Sequence, residues 1–497
     1  MDTDMGMAMD TAMVLRVKSR SVFLSSFYVL ASFPAFSAEL ELTPFALSEF
    51  TYTDNVDLVA ENKESSEIAT LAAGLEVKSE GNDGNLSLDY QIRKLFYSHD
   101  SVDNATYNEL SFTADKGLFS QTQFRADANA SIDNIARSIR DNANNDIVTS
   151  DTIETKNFGV GLSYQSNPRG VVDLSARIDS DVTLNEDNIG DNNEYSAELS
   201  FDNGKAIKKI FWTTDYSYTT NIGRSDNSRT QIHELEHKFG LQQMKGVSPF
   251  IGFNLEDYIG QSNIDSADTT TLGPGVRYYW HRRSFIELAY EFDLKGDGED
   301  FWSGEIYLIP TPRTALSFEY TKRFYGDAYD FSFRHKNKRL TNSITYVEEI
   351  SGYNRRTLVD GNRVEELTVN KTLTWESSLE LRRNTFTLEL RGREQEAISD
   401  LSQNADTDSY GSTFSVEHNL TRKATLSSSF KYDYYKFGRE GQSATKDHYR
   451  IWDLGLEVEP IEELSVDITL AHSNRTSTNL SSEYKENRVN LSLRKDF

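Results

Sequence analysis

The chain of 497 residues contains no cysteine. Disulfides, thiolate metal sites and cysteine nucleophiles are excluded at once. Proline is scarce, with 8 residues, so the chain is not a proline-rich linker. Positive charge is in short supply: 52 Lys and Arg stand against 78 Asp and Glu, a net charge of −26. So acidic a chain argues against nucleic acid as a partner. Mean hydropathy is −0.58, and beyond the N-terminus no run approaches the ~20 apolar residues of a membrane helix. Walker and dinucleotide fingerprints are missing. Asp297-Gly298-Glu299-Asp300 and Asp406-Thr407-Asp408 lack the spacing of a calcium loop.

Aromatic residues are abundant, with 25 Tyr and 28 Phe, too many for a disordered acidic chain. The N-terminus reads as a secretory signal over residues 1–38. Arg16, Lys18 and Arg20 form its basic region and Ser21 to Phe36 its apolar region, with cleavage after Ser37 or Ala38. Residues 39–497 then form one domain.

From Leu40 onward the chain keeps one rhythm. Runs of about 9–14 residues alternate apolar and polar side chains, as half-wet strands do. Leu86, Leu88, Tyr90, Ile92 and Phe96 share one face, and Ser87, Asp89, Gln91 and Arg93 the other. Ile286, Leu288, Tyr290, Phe292 and Leu294 oppose Glu287, Glu291 and Asp293. The final stretch behaves alike: Val489, Leu491, Leu493 and Phe497 fall on one parity, Asn490, Ser492, Arg494 and Asp496 on the other. Such a terminal strand suits a barrel, whose last strand must pair with its first to leave no edge. It resembles the C-terminal insertion signal of bacterial outer-membrane barrels, except at Lys495.

Short breaks such as Gly81-Asn82-Asp83-Gly84 and His281-Arg282-Arg283 take turns with long acidic ones. Asp54–Ser66, Asp133–Ile153, Asp181–Asn193, Ser351–Val364 and Glu394–Asp408 are the long ones. Short turns on one side and long loops on the other are the asymmetry of a transmembrane barrel. About 11 turns and about 12 loops predict an all-β, single antiparallel transmembrane β-barrel of about 24 strands, within 20–26. Turns would lie on the periplasmic side and acidic loops outside. Aromatics at Phe96–Tyr97, Tyr216, Tyr218, Phe324–Tyr325 and Tyr434, Tyr435, Phe437 flank the long loops, and Trp212 and Trp280 lie near short turns, as interfacial girdles require. A closed ring of this size measures roughly 45–50 Å across. Asp89, Arg93, Glu287, Asp293, Glu319, Arg323, Lys431 and Asp433 are the expected lumen-lining charges.

His233-Glu234-Leu235-Glu236-His237 matches the H-E-x-x-H zinc-protease pattern. That chemistry needs a helix, which stacks the imidazoles a turn apart. Here the segment sits inside the alternating rhythm, where positions four apart are roughly 13 Å distant. No catalytic residue, cofactor or metal is therefore expected; an outer-membrane zinc protease through His233 and His237 is the minor alternative.

The opening text Ser48-Glu49-Phe50-Thr51-Tyr52-Thr53-Asp54-Asn55-Val56-Asp57-Leu58 is followed by Leu88-Asp89-Tyr90 and Leu95-Phe96-Tyr97-Ser98-His99-Asp100. Together with Arg383-Asn384-Thr385-Phe386-Thr387-Leu388, it resembles the outer-membrane β-barrel proteins associated with the PEP-CTERM exopolysaccharide system. The resemblance implies outer-membrane residence and a link to extracellular polysaccharide. The expectation is a non-enzymatic channel or scaffold for exopolysaccharide export or attachment, with a general porin for small solutes as alternative. Expected partners are outer-membrane lipid and lipopolysaccharide, the barrel-assembly machinery, and exopolysaccharide with its export apparatus.

Overall fold

The computed structural model describes residues 40–497 except 100–102, 120–122, 138–145, 150–151, 168, 225–228, 243–245, 261–266, 282, 296–297, 352–367, 398–406 and 440–441. The expected signal, residues 1–38, lies outside the described residues, as do parts of three expected long loops.

Twenty-four antiparallel strands follow in chain order. The first eight are β1 (Leu40–Thr53), β2 (Ser66–Gly81), β3 (Gly84–Tyr97), β4 (Ala105–Gly117), β5 (Phe124–Ala136), β6 (Thr152–Gln165), β7 (Val172–Asn185) and β8 (Asn192–Asn203). The next eight are β9 (Ile210–Gly223), β10 (Arg229–Leu241), β11 (Gly246–Ile259), β12 (Ala267–His281), β13 (Ser284–Asp293), β14 (Phe301–Thr311), β15 (Thr314–Arg323) and β16 (Gly326–Lys336). The last eight are β17 (Leu340–Ser351), β18 (Thr368–Glu380), β19 (Asn384–Ala397), β20 (Thr407–Asn419), β21 (Ala424–Arg439), β22 (Gln442–Ile461), β23 (Leu464–Ser477) and β24 (Tyr484–Asp496). Each strand pairs with its neighbours in sequence, and β24 pairs with β1 from Phe45↔Asp496 to Thr53↔Arg488. Closure satisfies every edge, which the hydrocarbon phase demands. Among the described residues no helix is long and apolar enough to cross a membrane; strands do the crossing.

The seam is fixed by side chains as well as by the ladder. The Phe497 N–H donates to Pro44 O at 2.8 Å. Thr51 and Thr53 hydroxyls donate to Asn490 (2.9 Å) and Glu486 (2.7 Å). Both oxygens of Asp54 accept from Asn487, at 2.7 and 2.6 Å. The Thr-Asp-Asn text of the first hairpin is thus the clasp between first and last strands.

Two inward glycines let rings lie against the wall. A Cβ at Gly74 would sit 2.3 Å from the Phe45 ring, and one at Gly275 2.1 Å from the Phe250 ring. Each phenylalanine covers backbone on the neighbouring strand, a known way to support a bare glycine in a curved sheet.

Three expectations need correction. Asp181–Asn193 is mostly strand, and only residues 186–191 link β7 to β8, because Asn and Asp at the strand ends pair in register. Phe324–Tyr325 is a two-residue connection; Phe324 packs on the Tyr258 ring at 5.1 Å instead of opening a long loop. Tyr435 and Phe437 share the inward parity and pack with Tyr449, so they are not girdle residues. Adjacent aromatics in a strand face opposite sides, and a cluster read along the sequence cannot all meet lipid.

Candidate functional site: the lumen wall

The two faces of the sheet invert the order of a soluble protein. In β13, Leu288 is 52 % exposed while Glu287 and Glu291 are 5 % and 3 % exposed. Apolar residues point outward, and charged ones are packed within. The outward set includes Trp280, Trp302, Trp375 and Trp452, and Trp302 stands edge-on to Tyr290 at 5.0 Å. Val489, Leu491, Leu493 and Phe497 are exposed on the outward parity. Lys495 shares that side; its ammonium pairs with Glu463 at 2.7 Å and reaches the Phe497 ring, so its charge leaves the apolar belt at the rim.

The inner wall of β10–β16 carries a row of acids in register. Arg277 stands opposite Glu287, Glu287 opposite Glu305, Glu305 opposite Glu319, and Glu319 opposite Asp330. Four carboxylates on adjacent strands at one level repel each other, since like charges directly opposite are destabilising. The row is partly compensated from beside it. Lys238 of β10 reaches Glu236 and Glu287, both at 2.8 Å, and Glu305 at 4.0 Å. Arg277 reaches Glu287 at 2.6 Å, with its guanidinium over the Phe285 ring. Lys238, Glu287, Glu305 and Glu319 line a recess of about 750 Å³ that opens along the lumen.

On this side the wall folds toward itself. Glu234 lies directly opposite Glu256, and Arg323, from β15, approaches Glu256 at 3.5 Å. The Tyr258 hydroxyl donates to Glu234 at 2.7 Å, and Ile232, Phe324 and Ile350 pack on its ring. Contacts from β10 and β11 to β15 and β17 make this flank a folded lobe instead of part of a round ring.

Elsewhere opposite charges meet. Arg93 lies between Glu49 (3.8 Å) and Glu109 (3.9 Å), and Asp89 lines a second recess with Gln91 and Glu109. Asp433 is buried between Lys431 (3.0 Å) and Arg391 (2.8 Å). Asp293 sits at the end of β13, where its carboxylate accepts the Lys295 and Gly298 N–H groups; it caps a loop and lies at the rim of the lumen. Arg494 pairs with Glu76 and Asp496 and covers Phe45 at 4.0 Å.

One loop contact escaped the sequence. Asp146 and Thr149, in the connection from β5 to β6, are held by Arg488 of β24 at 2.5 and 2.9 Å. The Tyr97 hydroxyl donates to Val148 O at 2.8 Å. Burial pushes the Asp146 carboxyl up, and Arg488, Thr149 and the Val148 N–H outweigh it, holding it below the usual carboxylate range. No sequence signal joins residues so far apart.

The H-E-x-x-H segment lies within strand β10. The His233 ring packs tilted against Tyr218 and His237 bonds Thr214, both on the outward parity, while Glu234 bonds Tyr258 on the inner face. Four strand positions span roughly 13 Å, so one ion cannot take both imidazoles.

The fold is that of an outer-membrane β-barrel. No protein-family model matches the chain, and no curated protein matches it. Among solved structures it is similar to the apoprotein form of the FrpB iron transporter from Neisseria meningitidis, F5-1 variant. Identity there is 10 %, over 92 % of this chain and 81 % of that one, with a TM-score of 0.50. It is also similar to BauA, the ferric preacinetobactin receptor of Acinetobacter baumannii (11 % identity, 91 % and 80 % covered, TM-score 0.47). A BenF-like porin from Pseudomonas fluorescens Pf-5 matches at 11 % identity, over 92 % and 99 %, with a TM-score of 0.36. At such identities the likeness is one of fold.

Proposed function

We propose that this barrel is a non-enzymatic outer-membrane channel that passes uncharged and cationic hydrated solutes and turns away polyanions. The in-register row Glu287, Glu305, Glu319 and Asp330 supports this reading. Fixed carboxylates on a low-dielectric wall raise the local cation concentration and oppose anions. Exopolysaccharide, exported or anchored, is the cargo suggested by the resemblance of the first hairpin, and the acid row favours an uncharged one. Outer-membrane lipid and lipopolysaccharide would surround the belt, and the barrel-assembly machinery would read Val489, Leu491, Leu493 and Phe497.

A general porin for small solutes is the second reading, favoured by the same acid row, which selects by charge and needs no sugar. Planar-bilayer conductance separates the two. An export channel is blocked by added neutral polysaccharide and indifferent to small sugars. Indifference to the polysaccharide favours the porin, and block by a polyuronate at equal concentration contradicts both.

A further inference from the structure

We propose that the outer rim carries a divalent transition-metal site formed by Asp57, Glu64 and His99. One ligand atom from each lies within 4.8 Å of the others, and His99 Nε2 is in contact with the Glu64 carboxylate. Two separate loops supply the set: Asp57 and Glu64 come from the β1–β2 connection, His99 from the β3–β4 connection.

The backbone around the three is built to hold them. The Val56 N–H donates to Glu64 O at 2.9 Å, which sets Asp57 beside Glu64. Asn55 is fully buried. Its amide donates to Val59 O (2.8 Å) and Lys485 O (2.9 Å), and its oxygen accepts the Val59 N–H (3.0 Å). These bonds tie the loop to the last strand. On the other side, the Ser98 N–H donates to Glu67 O, and the Glu67 N–H donates to the Ser98 hydroxyl. His99 is thereby placed over the first loop. The motif after β1, Thr53-Asp54-Asn55-Val56-Asp57, and the one that ends β3, Leu95-Phe96-Tyr97-Ser98-His99, converge here.

The donor set selects the ion. One imidazole with two carboxylates suits zinc and its first-row neighbours, whereas calcium and magnesium require oxygen throughout. Zinc binds such ligands at about 2.0–2.2 Å, and Asp57 and Glu64 are exposed, so small side-chain rotations close the remaining gap. Three protein ligands leave a position for water or an incoming donor. The ion would bridge the first two outer loops. The site is remote from the acid row and independent of the channel reading.

The test uses the full barrel in detergent micelles at neutral pH, in excess magnesium, titrated calorimetrically with zinc chloride. Wild type should take up one saturable equivalent. His99→Gln and Asp57→Asn should weaken it by at least about 10–100-fold, the range seen even for indirect metal partners. Electrophoretic mobility without heating shows that the variants remain folded barrels. No saturable zinc, or zinc binding unchanged in folded His99→Gln, overturns the site.

Discussion

The lobe of β10–β16 and the seam of β24, β1, β2 and β3 treat charge in opposite ways. At the seam, cations sit among acids: Arg488 with Asp146 and Glu486, Arg494 with Glu76 and Asp496, Arg93 with Glu49 and Glu109. In the lobe, Glu305, Glu319 and Asp330 stand next to one another along the ladder, with Lys238 reaching Glu305 and Arg277 held by the adjoining Glu287. The seam charges hold closure, and the lobe charges are kept despite their mutual repulsion. The difference teaches that inward charges are of two kinds. One kind is paired with opposite charge at the closing strands, and the other stands in a like-charged row on the inner wall.

The sharpest way to break that division is at Glu287, the one acid of the row with two cationic partners. Glu287→Arg leaves Lys238 and Arg277 facing a third cation. Removing a buried partner costs about 3 kcal/mol or more, so the urea midpoint in lipid vesicles should fall steeply. A mild effect would mean that water screens the whole row. Its neighbour Leu288→Arg should cost about 2–4 kcal/mol through the lipid face, and Leu491→Arg at the seam the same. Equal tolerance of both would deny the outward parity its membrane role.

Smaller effects come from the loop. Arg488→Ala removes charge-assisted bonds to Asp146 and Thr149 worth about 1.5–3 kcal/mol and should make single-channel current noisier. The pH dependence follows in sign. The folded Asp146 carboxyl lies below its ordinary value, so the contribution is full above that value and is lost as pH falls through the lowered one. Noise should therefore rise in acid in wild type and be present at neutral pH in the variant. Smallest is Glu305→Gln with Glu319→Gln, which relieves like-charge contact and should raise stability by about 0.5–1 kcal/mol. A loss of stability would place those acids with the seam kind.

Strand parity was legible along the chain because lipid and water on opposite faces impose period two; Leu288 against Glu287 shows it. The clasp of Asp54 on Asn487 was visible only as a motif. The acid row was not legible, since Glu287, Glu305, Glu319 and Asp330 align only once hairpin registers are fixed, and one slipped residue would turn any of them outward. The folded lobe was hidden too: Tyr258 and Phe324 meet across strands that no local pattern relates. For the same reason Arg488 could not be joined to Asp146.

The zero-current potential of single channels across a potassium chloride gradient shows whether the acid row sets a charge preference. Wild type should prefer potassium over chloride, and Glu305→Gln/Glu319→Gln/Asp330→Asn should lose most of that preference while still inserting as open channels. Chloride preference in wild type, or an unchanged potential in the triple variant, would contradict that role of the row.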